Sequence, residues 1–305
     1  MITVVSAPSN LGLRPPEVGS VPGTSKAPEA LREAGLFRRL AAVGAVEGGV
    51  ILPGRYVDDD VTRATGHVRN EVQLVKHARR LAHRITDVIA DGGAPLVLGG
   101  DCSLLIASGF ALAPRRSSGL IHIDGHTDFR HPGNSDDCAS VAGEDLAAVV
   151  GLHWPAIADI DGFGPYFLPA DTVHIGCREN DHEADEARSV LGLVLSTRES
   201  LEIGMEATAR AARSTAGNTD YWLHVDIDVL DPTFMPAVDS PDPGGLSPDQ
   251  LMELLTVLAP WAIGAQVTVF DPDLDPDGRY AELLTEIVAT GMASLGTGGA
   301  STRGK

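Results

Sequence analysis

The sequence predicts a three-layer α/β/α domain built on a mostly parallel sheet of about eight strands. Three observations support this fold class. Strand-like and helix-like segments alternate along the chain. The strand-like runs are short and apolar without regular polar alternation, which is typical of strands covered on both faces. Four acidic motifs each follow such a run, and parallel α/β sheets bind ligands at the carboxyl ends of their strands.

The predicted strands are runs rich in branched apolar residues. They occupy residues 2–6, 50–52, 95–98, 120–123, 172–175, 193–195, 221–225 and 263–269. Neighbouring parallel strands need long crossover connections, and helical patterns separate most of these runs. We therefore expect the sheet to lie between two helical layers.

The predicted helices have apolar residues at helical spacing. They occupy residues 27–43, 69–90, 104–112, 183–190, 198–212, 248–258 and 278–292. Pro28 suits the first turn of the first helix, and Asp91-Gly92-Gly93 ends the second. We expect a single domain over residues 1–295, followed by a flexible Gly/Ser/Thr-rich tail over residues 296–305.

The composition excludes several classes of partner. The 305-residue chain has 23 Lys and Arg against 42 Asp and Glu, which gives a formal net charge of −19. Such an acidic surface repels phosphate backbones, so we expect no nucleic-acid partner. Three cysteines do not suit a disulfide framework, and the chain has neither a leader pattern nor an apolar run of membrane-spanning length. We expect a cytoplasmic protein with no membrane partner.

The four acidic motifs outline a candidate site for two metal ions. They are Gly99-Gly100-Asp101-Cys102-Ser103, Asp124-Gly125-His126-Thr127-Asp128, Asp226-Ile227-Asp228 and Phe270-Asp271-Pro272. In the second motif three candidate ligands stand at every second position, so a strand end and its turn can aim them at one place. An Asp-x-Asp alone is more often a helix cap. Together the motifs favour a pair of hard divalent cations.

These motifs, together with the stretch 23–32, Gly176-Cys177-Arg178 and the stretch 226–232, resemble the arginase/agmatinase family of ureohydrolases along nearly the whole chain. The resemblance implies two Mn²⁺ ions and a hydroxide that bridges them. That hydroxide attacks the carbon of a small guanidino or amidino substrate and splits a C–N bond. The resemblance also implies a homo-oligomer, as a trimer or a hexamer.

The resemblance implies a role for each matching residue. Asp124 and Asp226 would bridge the two ions. His126 and Asp228 would complete one ion, and Cys102 and Asp128 would complete the other, with Asp128 also catalytic. Glu179 and Asp181 match acids that help to hold a substrate amino group. Asp101 matches a structural acid outside the ligand set.

Three positions depart from the family pattern. Cys102 replaces a His ligand, and because thiolate prefers softer ions, Zn²⁺, Fe²⁺ or Co²⁺ become alternatives to Mn²⁺. Ala142 takes the place of the proton-shuttling His, with Glu144 and His131 as candidate substitutes. Val269 takes the place of a Glu that grips the guanidinium group. These changes indicate that arginine itself is not the substrate.

Arg130 lies where the arginase pattern has a small polar residue that reads the substrate carboxylate. An Arg at this position can bind a carboxylate directly. His122, His174 and His224 each lie inside a predicted strand. We interpret these three as hydrogen-bonded core imidazoles rather than ligands.

Other interpretations stay open. Hydroxyarginine hydrolases of antibiotic pathways also have Cys in the metal site and lack the shuttle His, but they keep the Glu. A catalytically silent metal-binding homologue would explain Ala142 and Val269. A deacetylase-like amide hydrolase is a third alternative, although the His-His pair expected before the metal motif does not occur here.

Overall fold

The computed structural model describes residues 1–115 and 117–298. The strands are β1 Ile2–Ala7, β2 Val46–Val50, β3 Ala94–Gly99, β4 Leu120–Ile123, β5 Thr172–Cys177, β6 Leu193–Ser196, β7 Tyr221–Asp226 and β8 Ala262–Thr268. The α-helices are α1 Ala27–Glu33, α2 Leu36–Ala42, α3 Glu71–Ala90, α4 Leu104–Leu112, α5 Asp145–Val149, α6 Pro155–Ala158, α7 Ala184–Val190, α8 Thr197–Ile203, α9 Met205–Thr215, α10 Pro248–Leu258 and α11 Arg279–Gly291.

Within the described residues the strands form one parallel sheet. Their order is β2-β1-β3-β8-β7-β4-β5-β6, and every paired neighbour runs in the same direction. The predicted α/β fold with about eight parallel strands is confirmed. None of the helices in this part of the chain combines the length and apolarity that a membrane crossing requires.

The core lies on both faces of the sheet, as the unbroken apolar runs predicted. On β3, Leu96 and Leu98 pack into one hydrophobic cluster, whereas Val97 between them packs into the other. The first cluster includes residues of α1, α2, α9, α10 and α11. The second includes residues of α3, α4 and α5. A strand covered in this way needs apolar residues at every position, which explains the missing alternation.

Two predicted helices are each divided by a glycine. The stretch 27–43 forms α1 and α2 with Gly35 between them at φ 91°, and the stretch 198–212 forms α8 and α9 with Gly204 at φ 86°. A positive φ interrupts the helical backbone, and glycine adopts it without steric strain. Each of these two predicted helices therefore corresponds to two shorter helices separated by a glycine.

The second strand is displaced from its predicted place. It spans Val46–Val50 rather than residues 50–52. This strand lies at the edge of the sheet and contains Gly48 and Gly49, and most of its residues are exposed. An exposed glycine-containing edge strand lacks the apolar signal on which the prediction relied. Of the predicted tail 296–305, residues 299–305 lie outside the described part of the chain.

Candidate metal centre

The acidic motifs meet at the carboxyl edge of four adjacent strands. Asp101 and Cys102 follow β3, Asp124 follows β4, and Asp226 ends β7. With β8, these strands occupy the middle of the sheet in the order β3-β8-β7-β4. Parallel strands end at the same edge, so residues far apart in sequence converge on one place.

Two carboxylates are oriented by their own turns. The Oδ1 atom of Asp124 accepts a hydrogen bond from the His126 N–H at 2.7 Å, and the Oδ1 atom of Asp226 accepts one from the Asp228 N–H at 2.8 Å. Gly125 permits the close approach of the two segments, since a Cβ atom there would lie 2.8 Å from the Asp228 carbonyl oxygen. The Oδ2 atom of Asp124 is buried and has no hydrogen-bond partner.

One group of candidate ligands unites Asp124, His126 and Asp228. A donor atom from each lies within 4.8 Å of the others. The His126 Nδ1 atom is 2.8 Å from Asp228 Oδ2, and the Gly125 N–H donates to Asp228 Oδ1 at 3.0 Å. These three residues are those that the sequence assigned to one ion, with Asp124 shared.

A second group contains Cys102. Its donors are Cys102, Asp124, Asp226 and His224, again within 4.8 Å of one another. The thiol of Cys102 is almost fully buried and contacts the Asp226 carboxylate, and its Sγ atom lies 3.3 Å from Thr268 Oγ1. The two groups share Asp124, as a site for two ions requires.

Asp128 belongs to a third group of candidate ligands. The resemblance implies that Asp128 and Cys102 complete one ion, and the structure brings the Asp128 carboxylate within 4.8 Å of donor atoms of Asp124 and His122. Within the described residues, no group of at least three donors at this spacing contains both Cys102 and Asp128. The backbone of Asp128 is left-handed at φ 47°, which turns the chain away from β4 at this point.

The buried acids repel one another strongly. Burial raises the pKa of Asp124 and of Asp226 well above the usual range, and the neighbouring carboxylates raise it further. Burial also raises the pKa of Asp228, but the hydrogen bond and charge of His126, the hydrogen bond from the Gly125 N–H and the charge of Arg178 together outweigh it, so the net shift is downward. Burial lowers the pKa of His126, yet the Asp228 carboxylate raises it to about 9. A divalent cation among these groups would relieve the repulsion.

The predicted fourth motif does not reach this cluster. Asp271 Oδ2 accepts a hydrogen bond from the Gly23 N–H at 3.1 Å and so ties down the loop before α1. Asp101 also makes a structural hydrogen bond, in which its Oδ2 atom accepts from the Ser9 hydroxyl at 2.9 Å. Asp101 was expected outside the ligand set. Asp271 belongs outside it as well.

A cavity of about 390 Å³ opens above the cluster. Its lining includes His126, Asp128, Asp226 and Asp228 from the candidate ligand groups. Ala142 and Val269, two of the positions that depart from the family pattern, also line it. Val269 is 2% exposed and has a left-handed backbone at φ 70°, which is a strained conformation for a β-branched residue.

Arg130 lines the cavity and is hydrogen-bonded to a buried carboxylate. Its Nε atom lies 3.3 Å from Glu144 Oε1. Glu144 is fully buried and also accepts hydrogen bonds from the His153 ring at 2.9 Å and from the Ala139 N–H at 2.8 Å. The hydrogen bond to Glu144 positions the Arg130 side chain at the cavity.

The other predicted catalytic and substrate residues are placed as follows. Glu144 and His131 do not line the cavity, and His131 pairs with Glu186 at 3.1 Å. Glu179 also lies outside the cavity and pairs with Arg198 at 2.9 Å. Asp181 does line it, although its carboxylate accepts two hydrogen bonds from Thr127, at 2.7 and 2.8 Å.

Three acids of the cavity, Glu183, Asp239 and Asp242, were not singled out from the sequence. Asp239 and Asp242 lie on the Gly/Pro-rich loop between β7 and α10. Asp242 Oδ2 is 3.4 Å from His126 Nε2, and the Asp242 carbonyl oxygen accepts from Arg178 at 3.0 Å. The length of this loop was the only signal of a functional role.

Comparison with known proteins gives consistent relatives. The family model described as "Arginase family" matches residues 2–293. An arginase of Brevibacillus brevis is 27% identical over 303 residues, covering 95% of this chain and 96% of that protein. A guanidinopropionase of Pseudomonas aeruginosa is 29% identical over 216 residues, covering 70% and 64%. The crystal structure of an arginase from Bacillus caldovelox is similar with a TM-score of 0.84 at 25% identity, covering 95% and 97%.

Proposed function

The chain belongs to the arginase family, and we propose that it is a hydrolase that uses two metal ions to split a C–N bond in a small guanidino or amidino compound. The observation that carries this proposal is a pair of ligand groups that share Asp124 at the base of a cavity. Carboxylate, imidazole and thiolate donors together suit divalent transition-metal ions.

The residues present fit such a pair of ions. The buried Oδ2 atom of Asp124 has no hydrogen-bond partner, and the surrounding carboxylates are too close to be ionised together without a counter-charge. We assign Asp124 and Asp226 to both ions, His126 and Asp228 to one, and Cys102 and Asp128 to the other. Mn²⁺ is the ion expected of the family, and the soft thiol of Cys102 admits Zn²⁺, Fe²⁺ or Co²⁺.

When bound, a pair of divalent ions supplies a Lewis acid and a water nucleophile that is available at neutral pH. The protein residues then orient the substrate and move its protons. Asp128 is the proposed proton acceptor because its carboxyl group lines the cavity. Glu144 and His131 lie outside the cavity, so a role for them in proton transfer is not part of this proposal.

The charges of the cavity favour a substrate with a cationic and an anionic end. Asp181, Asp239 and Asp242 form an acidic rim that suits a guanidinium or amino group, and Arg130 suits a carboxylate. We therefore propose a guanidino acid as the substrate. The guanidinopropionase among the relatives has a name that implies such a compound. Val269 offers no charge to the guanidinium group of any such substrate, so the acidic rim is proposed to hold it.

The experiment is a urea-release screen with Mn²⁺-loaded protein. The panel contains guanidino acids of increasing chain length, arginine, a guanidino amine without a carboxylate, and an acetylated amine, whose hydrolysis is followed by acetate release instead of urea release. We expect release from at least one guanidino acid, faster than from arginine, and no hydrolysis of the acetylated amine. The Asp128→Ala protein is the matched control and should be inactive. A metal-loaded protein that turns over none of these compounds would contradict the proposal and favour a silent metal-binding homologue.

A further inference from the structure

We propose that His122 is a nitrogen ligand of the ion that Asp124 and Asp128 share, with His174 as its positioning partner. The inference rests on the proposed function only in requiring a cation in the acidic cluster. His122 lies in the middle of β4, two residues before Asp124, and is fully buried. It would supply the imidazole that Cys102 does not.

The first support is a set of buried polar atoms that lack partners. His122 Nε2 and Asp124 Oδ2 are both buried without a hydrogen bond. Both side chains are at most 2% exposed. Buried polar atoms are nearly always paired, so two unpaired atoms 3.7 Å apart indicate a missing ion or water.

The second support is the spacing of these atoms. His122 Nε2 is 3.4 Å from Asp145 Oδ1 and 3.7 Å from Asp124 Oδ2. Neither contact is a hydrogen bond, since His122 Nε2 has no hydrogen-bond partner. A donor atom of His122 also lies within 4.8 Å of donor atoms of Asp124 and Asp128, a spacing that ligands of one ion can adopt. The observed separations therefore suit atoms that share an ion between them.

The third support is the orientation of the His122 ring. Its Nδ1 atom lies 3.0 Å from Nδ1 of His174 on the neighbouring strand β5. With its proton on Nδ1, His122 donates to His174 and keeps the lone pair of Nε2 bare. Histidines that bind metals generally donate their other N–H in this way.

His224 provides a contrast within the same stack. Its ring lies parallel to that of His122, with centroids 4.5 Å apart. The Trp222 indole N–H donates to Gln266 Oε1 at 3.1 Å, so the Gln266 amide group must donate to His224 Nδ1 at 2.7 Å. A neutral His224 then carries its proton on Nε2, and this nitrogen has no lone pair for an ion.

The test compares His122→Phe with His224→Phe. Both rings are fully buried and stack on each other, so a loss of packing affects both variants alike. We expect His122→Phe to weaken Co²⁺ binding at one of the two sites by more than about 100-fold, beyond the 10–100-fold typical of a lost positioning partner. His224→Phe should weaken it far less. His174→Phe should fall within about 10–100-fold.

X-ray absorption of Co²⁺-loaded wild-type protein covers the case in which the variants fail to fold. Two bound ions with one imidazole each, from His122 and His126, support the inference. Two bound ions with only one imidazole between them overturn it, and an ordered water then fills the space beside His122. No bound ion at all would instead contradict the proposed function. Equal Co²⁺ affinity in His122→Phe and wild type would also overturn the inference.

Discussion

At the scale of the residue, Arg130 is the side chain that most narrows the choice of substrate. It lines the same cavity as the acidic rim and is hydrogen-bonded to the buried Glu144. A guanidinium group held in this way can bind a carboxylate through charge-assisted hydrogen bonds. We therefore attribute the preference for a guanidino acid to this one residue.

Replacing Arg130 by Gln tests that attribution. A hydrogen bond to a charged group contributes about 1.5–3 kcal/mol, so Arg130→Gln should lower kcat/KM for the guanidino acid by about 10–150-fold. The lower kcat/KM should result mainly from a higher KM, with kcat little changed. The same variant acting on a guanidino amine without a carboxylate is the control and should keep its rate. An equal loss on both compounds would mean that Arg130 does not read the carboxylate.

Glu144 makes a pH-dependent contribution to stability. Burial alone would raise the pKa of Glu144, but hydrogen bonds from His153 and the Ala139 N–H, with the charge of Arg130, lower it below its ordinary value of 4.5. A lowered pKa in the folded state stabilises the fold above the unfolded pKa. This contribution is lost as the pH falls through the folded value.

Glu144→Gln should therefore lower the free energy of unfolding at pH 7 by about 1–3 kcal/mol. The difference from wild type should shrink below pH 4.5. Urea unfolding across this pH range measures both effects. Glu186→Gln is the matched control, because Glu186 also pairs with a histidine but is 41% exposed and should contribute little. If the difference in unfolding free energy between wild type and Glu144→Gln stays constant with pH, Glu144 does not make this pH-dependent contribution.

The clearest sequence signal belonged to the candidate ligands. The alternate spacing of Asp124, His126 and Asp128 and the following Asp226-Ile227-Asp228 carried a strong local pattern. No sequence pattern marked His122 or His224 as a candidate ligand, because a histidine inside an apolar strand cannot be distinguished by pattern from a core residue. Only the register of β4 beside β5 and β7 brings His122, His174 and His224 together.

At the scale of the element, the ends of the strands position the candidate ligands. The hydrogen bonds at the ends of the helices contribute to local stability. The helix α8 begins directly after β6 and has a capping box. The Ser196 hydroxyl accepts from the Glu199 N–H at 3.2 Å, and the Glu199 carboxylate accepts from the Ser196 N–H at 2.7 Å. These bonds satisfy donors that a helix start otherwise leaves unpaired.

Ser196→Ala should lower the free energy of unfolding by about 1 kcal/mol. Thermal unfolding followed by circular dichroism measures the change. Ser189→Ala serves as the control, because Ser189 is an exposed residue within α7 whose hydroxyl only donates to the Glu186 carbonyl. Its effect should stay within about 0.5 kcal/mol. Similar losses in both variants would show that the cap does not contribute as described.

The buried strands and long helices were predictable because their apolar patterns are strong. The short helices α5 and α6 were missed, since helices of 5 and 4 residues show no full period of apolar spacing. Their position still matters, because α5 carries Asp145 to the side of His122. Tertiary packing, rather than local propensity, stabilises such short helices.

At the scale of the whole molecule, several of the acids are buried together where the strands end. The chain has a net charge of −19, and several of its acids are buried together at one edge of the sheet. A fold that buries like charges is less stable than one in which cations neutralise them. The proposed ions therefore stabilise the fold as well as the reaction.

Adding Mn²⁺ to metal-free protein should raise the Tm. At a free concentration of 100 times Kd, each site contributes about 2.7 kcal/mol of stability. Differential scanning calorimetry with and without a chelator measures the shift. NaCl at matched ionic strength should not reproduce it. A Tm that is indifferent to Mn²⁺ and to the chelator would show that the acidic cluster binds no cation.

Asp124 is proposed to join two ions at the base of the cavity. The most direct measurement is the metal content of purified wild-type and Asp124→Ala protein by inductively coupled plasma mass spectrometry after loading with Mn²⁺. We expect two ions per wild-type chain, and a clear loss of bound metal in the variant, with urea release lost in parallel. Fewer than two ions per wild-type chain, or an unchanged metal content in Asp124→Ala, would contradict it.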